Sequence, residues 1–348
     1  MKLSTVKSAV MAAIATQTPV MLQGAPGVGK SDIIREVADE LGFRVIDIRL
    51  SQLDPVDLRG IPSVTNGTTT WNVPAFLPKD PDEKVLIFLD EINSAPQAVQ
   101  AAAYQLVLDR KLGEYELPKN VVLVAAGNRT TDKAIVNQMA TPLKNRFMHL
   151  KVDVNYQDWC NWALSAGIDP MIIAFQRYNN GKYLHEMLAA ETETDAKKRA
   201  QMTDNLRVNN AFATPRTWAY ASRFMKQGLD NAMLRVVLEG CIGEVATTEF
   251  MGYNKYWSQI PDLDKVVKEP KKVNVPDNQI VCYAVAMALV PRANKNTLEN
   301  IMTYLGRMSD EYMVVFLKDV SRAKPELLME PVFTEWVDKV GSDLLLGD

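Results

Sequence analysis

The chain has 348 residues, 47% of them hydrophobic and 23% charged, with 39 basic and 42 acidic side chains and a net charge of −3. That size exceeds one ordinary domain, and the near-balanced charge excludes a global basic field that would recruit nucleic acid, leaving only local patches for that role. Three widely spaced cysteines, Cys160, Cys241 and Cys282, fit neither a disulfide framework nor a zinc site and point to a reducing compartment.

The N-terminal MKLSTVKSAVMAAIATQTPV imitates a secretion signal, but it runs straight into an apolar strand-like segment, so we read it as a first helix of a cytoplasmic protein. Val20-Met21-Leu22 is that strand. It opens onto Gly24-Ala25-Pro26-Gly27-Val28-Gly29-Lys30-Ser31, which fits the phosphate-loop pattern at every fixed position. Glycines let the backbone wrap so that successive N–H groups face an anion. Lys30 would reach the β- and γ-phosphates of a nucleotide and the Ser31 hydroxyl would hold Mg²⁺. From Ser31 to Leu41, apolar residues at 33, 34, 37, 38 and 41 make the amphipathic helix that must follow.

Arg44–Arg49 alternates and reads as a second strand. Asn66-Gly67 lies between threonine- and aromatic-bearing segments, a hairpin signal, although a plain surface loop has the same composition. Lys84–Glu91 (KVLIFLDE) is a continuous apolar run, as in a strand covered on both faces. It ends in two acids, Asp90 for the Mg²⁺ shell and Glu91 to polarise an attacking water.

A helix is expected over Asn93–Asp109 with Pro96 in its first turn, then a small hairpin turning at Gly113-Glu114. Val121–Ala126 is a fourth strand ending in Gly127-Asn128, where the Asn128 carboxamide could hold the water or the γ-phosphate; an ordinary turn residue looks the same. Thr141–Phe147 precedes a fifth strand, Met148–Val152, and Arg146 sits where the domain surface would meet a neighbour.

From Asp153 strand-like runs disappear. Helical patterns cover 158–166, 170–178 and 189–204, the last a polar, solvated stretch. Thr214 and Pro215 then form an N-cap and N1 pair that puts Arg216 in a helix's first turn, able to fold back over a nucleotide. Residues 256–276, with three prolines, read as a connector. The apolar run 280–290 is well short of the ~20 residues a membrane span needs and reads as a core helix.

With these pieces in this order the chain resembles the AAA+ ATPases, and within them the MoxR family. GAPGVGKS stands as Walker A, VLIFLDE as Walker B, AAGN at sensor 1, LKNRF at the arginine finger and TPR at sensor 2. DPVDLRGIP, PAFLP and DEINSAPQAVQAA fill the places of the MoxR-type insert and of the segment after Walker B. The resemblance spans about 20–256. It implies an α/β core with a five-stranded parallel sheet over 1–152, an all-α lid over 153–258 and a helical extension over 259–348.

It further implies ATP and Mg²⁺, with phosphate on the loop 24–31, metal at Ser31 and Asp90, and Glu91 as catalytic base. Asn128 becomes sensor 1, Arg146 a finger acting on the next subunit's nucleotide, and Arg216 the sensor 2 arginine. A homo-oligomeric ring, usually of six subunits, follows, with a protein target and often a partner carrying a von Willebrand factor A domain. Gly127-Asn128-Arg129 departs from the family's common Gln-Asn-Pro-like ending there. Two other readings stay open: a nucleic-acid motor or loader, with Arg59, Lys79, Lys84, Arg110, Lys111 and Lys119 lining a pore, and a scaffold that binds nucleotide without turnover.

Overall fold

The computed structural model describes residues 1–112, 115–129 and 141–340. They form two compact units, Met1–Val154 and Asn155–Asp348.

In the first unit the expected helix is α1 (Leu3–Ala15), followed by β1 (Val20–Gln23), α2 (Lys30–Leu41) and β2 (Arg44–Arg49). Next come α3 (Pro55–Arg59), the hairpin β3 (Ile61–Thr65) and β4 (Thr68–Asn72), then β5 (Val85–Asp90) and α4 (Gln97–Asp109). The unit closes with β6 (Lys111–Leu112), β7 (Tyr115–Glu116), β8 (Val121–Gly127), α5 (Thr141–Lys144) and β9 (Met148–Lys151). Five strands make one parallel sheet in the order β2-β5-β8-β1-β9.

The unbroken apolar runs of β5 and β8 are what a parallel sheet with both faces covered demands. Val85 to Leu89 and Val121 to Gly127 are all buried. Each buried Val, Leu, Ile or Phe among them contributes about 1.5–3 kcal/mol on leaving water. The register matters for function. Gln23 pairs with Gly127, and Leu89 pairs with Ala125, so β1, β5 and β8 end at one level. Parallel sheets bind ligands at such carboxyl ends.

Asn66 and Gly67 both have positive φ, 52° and 75°, which is the turn that two-residue hairpins prefer. The hairpin is exposed throughout its described side chains apart from half-buried Ser63. Pro96 lies one position outside α4, as its N-cap, because the turn after β5 runs on through Asn93 to Ala95 before the helix begins. The Gly113-Glu114 turn lies outside the described residues, although the short strands on either side of it pair as expected.

The second unit is helical: α6 (Tyr156–Ser165), α7 (Pro170–Tyr178), α8 (Glu186–Thr192), α9 (Ala196–Val208), α10 (Pro215–Met225) and α11 (Asn231–Trp257). It continues with α12 (Leu263–Lys268), α13 (Gln279–Leu289), α14 (Leu298–Leu305), α15 (Asp310–Ala323) and α16 (Pro331–Val340). Two sequence expectations change. The helix expected over 189–204 is two helices, because Asp195 caps a new start by accepting from the Lys197 and Lys198 amides. The connector 256–276 contains α12, whose Val266 is fully buried in the cluster around α13 to α15.

As expected, α9 buries no residue and α13 is a core helix. Phe175, Trp218, Phe250 and Tyr253 pack ring to ring at centroid distances of 5.2–5.6 Å. No helix among the described residues is long and apolar enough to cross a membrane, and the three cysteines are free thiols.

Candidate nucleotide site

The loop between β1 and α2 is shaped by backbone needs that only glycine meets. Gly27 and Gly29 have φ of 76° and 93°. A Cβ on Gly24 would stand 2.8 Å from the Val152 carbonyl oxygen. The loop is thereby packed against the end of β9 and delivers Lys30 and Ser31 at the N-terminus of α2, where backbone N–H groups and the helix dipole favour an anion.

Lys30 Nζ donates to the Gly24 and Ala25 carbonyls at 2.8 and 3.0 Å and to Asn128 Oδ1 at 3.3 Å. The ammonium therefore rests on the loop's own oxygens, within reach of the space that a phosphate would enter. Ser31 Oγ donates to Asp90 Oδ2 at 3.5 Å. The phosphate loop, the end of β5 and the end of β8 thus converge through two side-chain contacts, Lys30 with Asn128 and Ser31 with Asp90. The residue types fit a nucleotide triphosphate with its metal: a donor cradle, one cation, and a hydroxyl beside a carboxylate.

Asp90 is held above the usual carboxylate range, first by burial and then by the charges of Glu91 and Asp47; a backbone bond from the Glu91 amide and the charge of Lys30 pull the other way. A carboxylate in that setting gains from an arriving cation. Glu91 occupies the left-handed region at φ 56°, an uncommon place for a residue with a Cβ. Its amide donates to Asp90 Oδ1 at 2.8 Å, and its carboxylate accepts from Ser51 Oγ. Strain of this kind gathers at functional sites when the surroundings hold it.

The sequence reading assigns no functional role to Ser51 or Asn93. Ser51 follows β2, the neighbour of β5, and its link to Glu91 spans 40 positions, so no local pattern announces it. Asn93 donates from Nδ2 to the Asn128 carbonyl at 2.5 Å. It stands in the DEIN run, visible but without a role assigned by spacing.

The two arginines lie apart from this cluster in the sequence. Arg146 is exposed in the turn between α5 and β9, at the sheet's edge strand. Arg216 is exposed in the first turn of α10, after the Thr214 cap and Pro215. Neither has an ion-pair partner among the described residues. Arg216 belongs to the second unit. A guanidinium in a helix's first turn opposes the helix dipole, so its placement there costs the fold something.

Residues 19–147 match the family described as the AAA domain (dynein-related subfamily). The matched segment holds the phosphate loop and most of the five-stranded parallel sheet, so this part of the chain is similar to an AAA domain, the nucleotide-binding core of the ATP-hydrolysing AAA+ class. Among curated proteins the chain is 29% identical to midasin of Giardia intestinalis over 172 residues, which is 47% of this chain and 4% of that one. It therefore corresponds to a small part of that relative's length. Among solved structures, RuvB of Thermotoga maritima, the Holliday junction branch migration motor, aligns over 88% of this chain and 86% of its own at 18% identity and a TM-score of 0.37. NtrX of Brucella abortus, solved in complex with ADP, aligns over 97% and 67% at 12% identity and a TM-score of 0.38.

Proposed function

We propose that this chain is a ring-forming ATPase of the MoxR type that uses ATP hydrolysis to remodel or assemble a protein target. The observation that carries the reading is the convergence at the sheet's carboxyl edge. Lys30 meets Asn128 at 3.3 Å and Ser31 meets Asp90 at 3.5 Å, with Glu91 next in the chain.

In this reading the amides from Gly24 to Ser31 bind the phosphates of ATP. Lys30 exchanges the neutral Gly24 and Ala25 carbonyls for anionic phosphate oxygens, so that both partners of the contact are ionised. Ser31 and Asp90 would hold Mg²⁺, which would supply positive charge to offset that of the phosphates. Glu91 orients the attacking water and takes its proton, and Asn128 steadies the water from the far side.

Arg146, exposed and without an ion-pair partner in its own described chain, serves a neighbour's nucleotide; such an arginine is worth ~10³-fold or more in rate. Arg216 is assigned as the sensor 2 arginine, and hydrolysis drives a change in the shape of the ring. We assign lid and extension to 153–258 and 259–348, a hexamer as the assembly, and a von Willebrand factor A protein as a companion. The uncharged hairpin Ile61–Asn72 suits contact with polypeptide better than with phosphates.

The test is steady-state ATPase activity of the wild type and of Glu91→Gln, each with and without duplex and single-stranded DNA. Turnover lost in Glu91→Gln and indifferent to DNA supports the reading. Strong, salt-sensitive stimulation by DNA redirects it to a nucleic-acid motor, and turnover surviving in Glu91→Gln contradicts the assignment of the base.

A further inference from the structure

Asn93 is 5% exposed, in the turn that leaves β5. Its Nδ2 donates to the backbone carbonyl of Asn128 at 2.5 Å, while its Oδ1 is buried with no hydrogen-bond partner among the described residues. An apolar residue would fill this place without stranding an oxygen, and a stranded buried acceptor costs stability. The donor end therefore has a task that offsets the orphaned one.

The surroundings show the task. The Ile92 amide donates to the Ala126 carbonyl at 3.1 Å, so the exit turn of β5 is pinned to the exit of β8 at two successive points. Between those points lies Gly127, where a Cβ would stand 2.3 Å from Asn93 Oδ1 and 2.7 Å from its Cγ. Only a glycine lets the Asn93 carboxamide pass β8 and reach the next carbonyl. That carbonyl belongs to Asn128, whose side chain meets Lys30. The same turn carries Glu91, whose carbonyl accepts from the Ser94 amide at 2.9 Å.

We propose that Asn93, with Gly127 making room for it, is a positioning residue for ATP hydrolysis. It ties the backbone of Asn128 to the turn that holds Glu91, and so fixes the distance between the carboxamide and the carboxylate that share the attacking water. This rests on the hydrolytic reading above. Asn93 is buried and its carboxamide is spent on the Asn128 backbone, so it acts through Asn128.

The experiment is a double-mutant cycle on the full chain, comparing wild type, Asn93→Ala, Asn128→Ala and the double variant. Each is measured for kcat and KM of ATP hydrolysis, for affinity for a fluorescent ADP, and for melting temperature. Asn93→Ala is expected to lower kcat on the order of 10-fold, as a small misplacement in an active site does, with KM and ADP affinity unchanged. In the Asn128→Ala background the same substitution changes kcat by less than about 2-fold, because the side chain it positions is gone. Its effect on melting temperature is the same in both backgrounds, since the packing around residue 93 is the same.

Asn93→Ser, too short to reach the Asn128 carbonyl, follows Asn93→Ala and serves if the alanine variant does not fold. Equal kcat losses in both backgrounds, or wild-type kcat in Asn93→Ser, overturn the positioning role while leaving hydrolysis intact. A wild type that binds the fluorescent ADP but does not turn over ATP overturns the hydrolytic reading itself, and this role with it.

Discussion

Ser51 donates a hydrogen bond to the carboxylate of Glu91 from the segment that follows the adjacent strand. Glu91 is thus fixed at both ends, by a left-handed backbone and by a hydroxyl on its side chain. A base that must face one water needs such orientation. Ser51→Ala is expected to lower kcat by about 10-fold, the order of one hydrogen bond to a charged group, with ATP affinity unchanged. Steady-state kinetics beside an ADP-binding titration checks this; an unchanged kcat makes Ser51 a bystander.

Asp90 predicts a trade of stability against activity. Its carboxyl is held above the ordinary range by burial and by its acidic neighbours. A raised folded-state pKa means that the native form binds the proton more tightly than the unfolded chain. Stability contributed by the protonated form is then lost as pH rises through that value. At neutral pH and without nucleotide, Asp90→Asn is expected to raise the melting temperature, by about 2–4 °C for each kcal/mol of relieved repulsion, and to abolish turnover. The gain shrinks as the pH is lowered. A lower melting temperature in Asp90→Asn contradicts this electrostatic account.

Arg177 and Asp319 form a bidentate pair between α7 and α15, with Nη2 donating to Oδ1 at 2.6 Å and Asp319 1% exposed. Removing one partner strands a buried charge, so Asp319→Ala is expected to cost about 3–5 kcal/mol. The pair Arg177→Met with Asp319→Leu costs much less. Cys160 lies beside the pair, its thiol pushed up by burial to about 11. It should react with a thiol reagent only when this region opens, whereas half-buried Cys241 reacts first. Labelling rates at Cys160 in the two variants check the ordering.

Gly243 interrupts α11 with φ 79° and ψ 165°, and a Cβ there would stand 2.7 Å from the Ala211 carbonyl oxygen. Gly243→Ala meets both the backbone penalty and the clash, and is expected to destabilise by about 1–3 kcal/mol or more. Urea unfolding followed by circular dichroism measures it. A stability equal to wild type would mean that α11 straightens there without cost.

Local signals carried much of this molecule in its sequence. The phosphate loop, the apolar run ending in Asp90-Glu91, the Asn66-Gly67 turn and the Thr214-Pro215 start all depend on neighbours within a few residues. Each is found at the expected place in the chain. The links that complete the site are long-range. Ser51 reaches Glu91 across 40 positions and Asn93 reaches Asn128 across 35, and strand order, which no periodicity encodes, brings each pair together. In the helical unit the break before Asp195 was readable from its capping side chain. By contrast, α12 was hidden among prolines and lysines, because a six-residue helix held by one buried valine leaves little periodic trace.

The central claim, a nucleotide site completed by a neighbour's arginine, is tested most directly by mixing two inactive proteins. Arg146→Ala keeps its own Lys30, Asp90 and Glu91, and Glu91→Gln keeps Arg146 to lend. Each alone should turn over little ATP, and wild-type turnover per subunit should rise with protein concentration as rings assemble. Their mixture should recover activity, because some Arg146→Ala subunits then stand beside a neighbour with an intact arginine. Concentration-independent turnover that Arg146→Ala leaves unchanged would contradict the account and make this a self-contained ATPase.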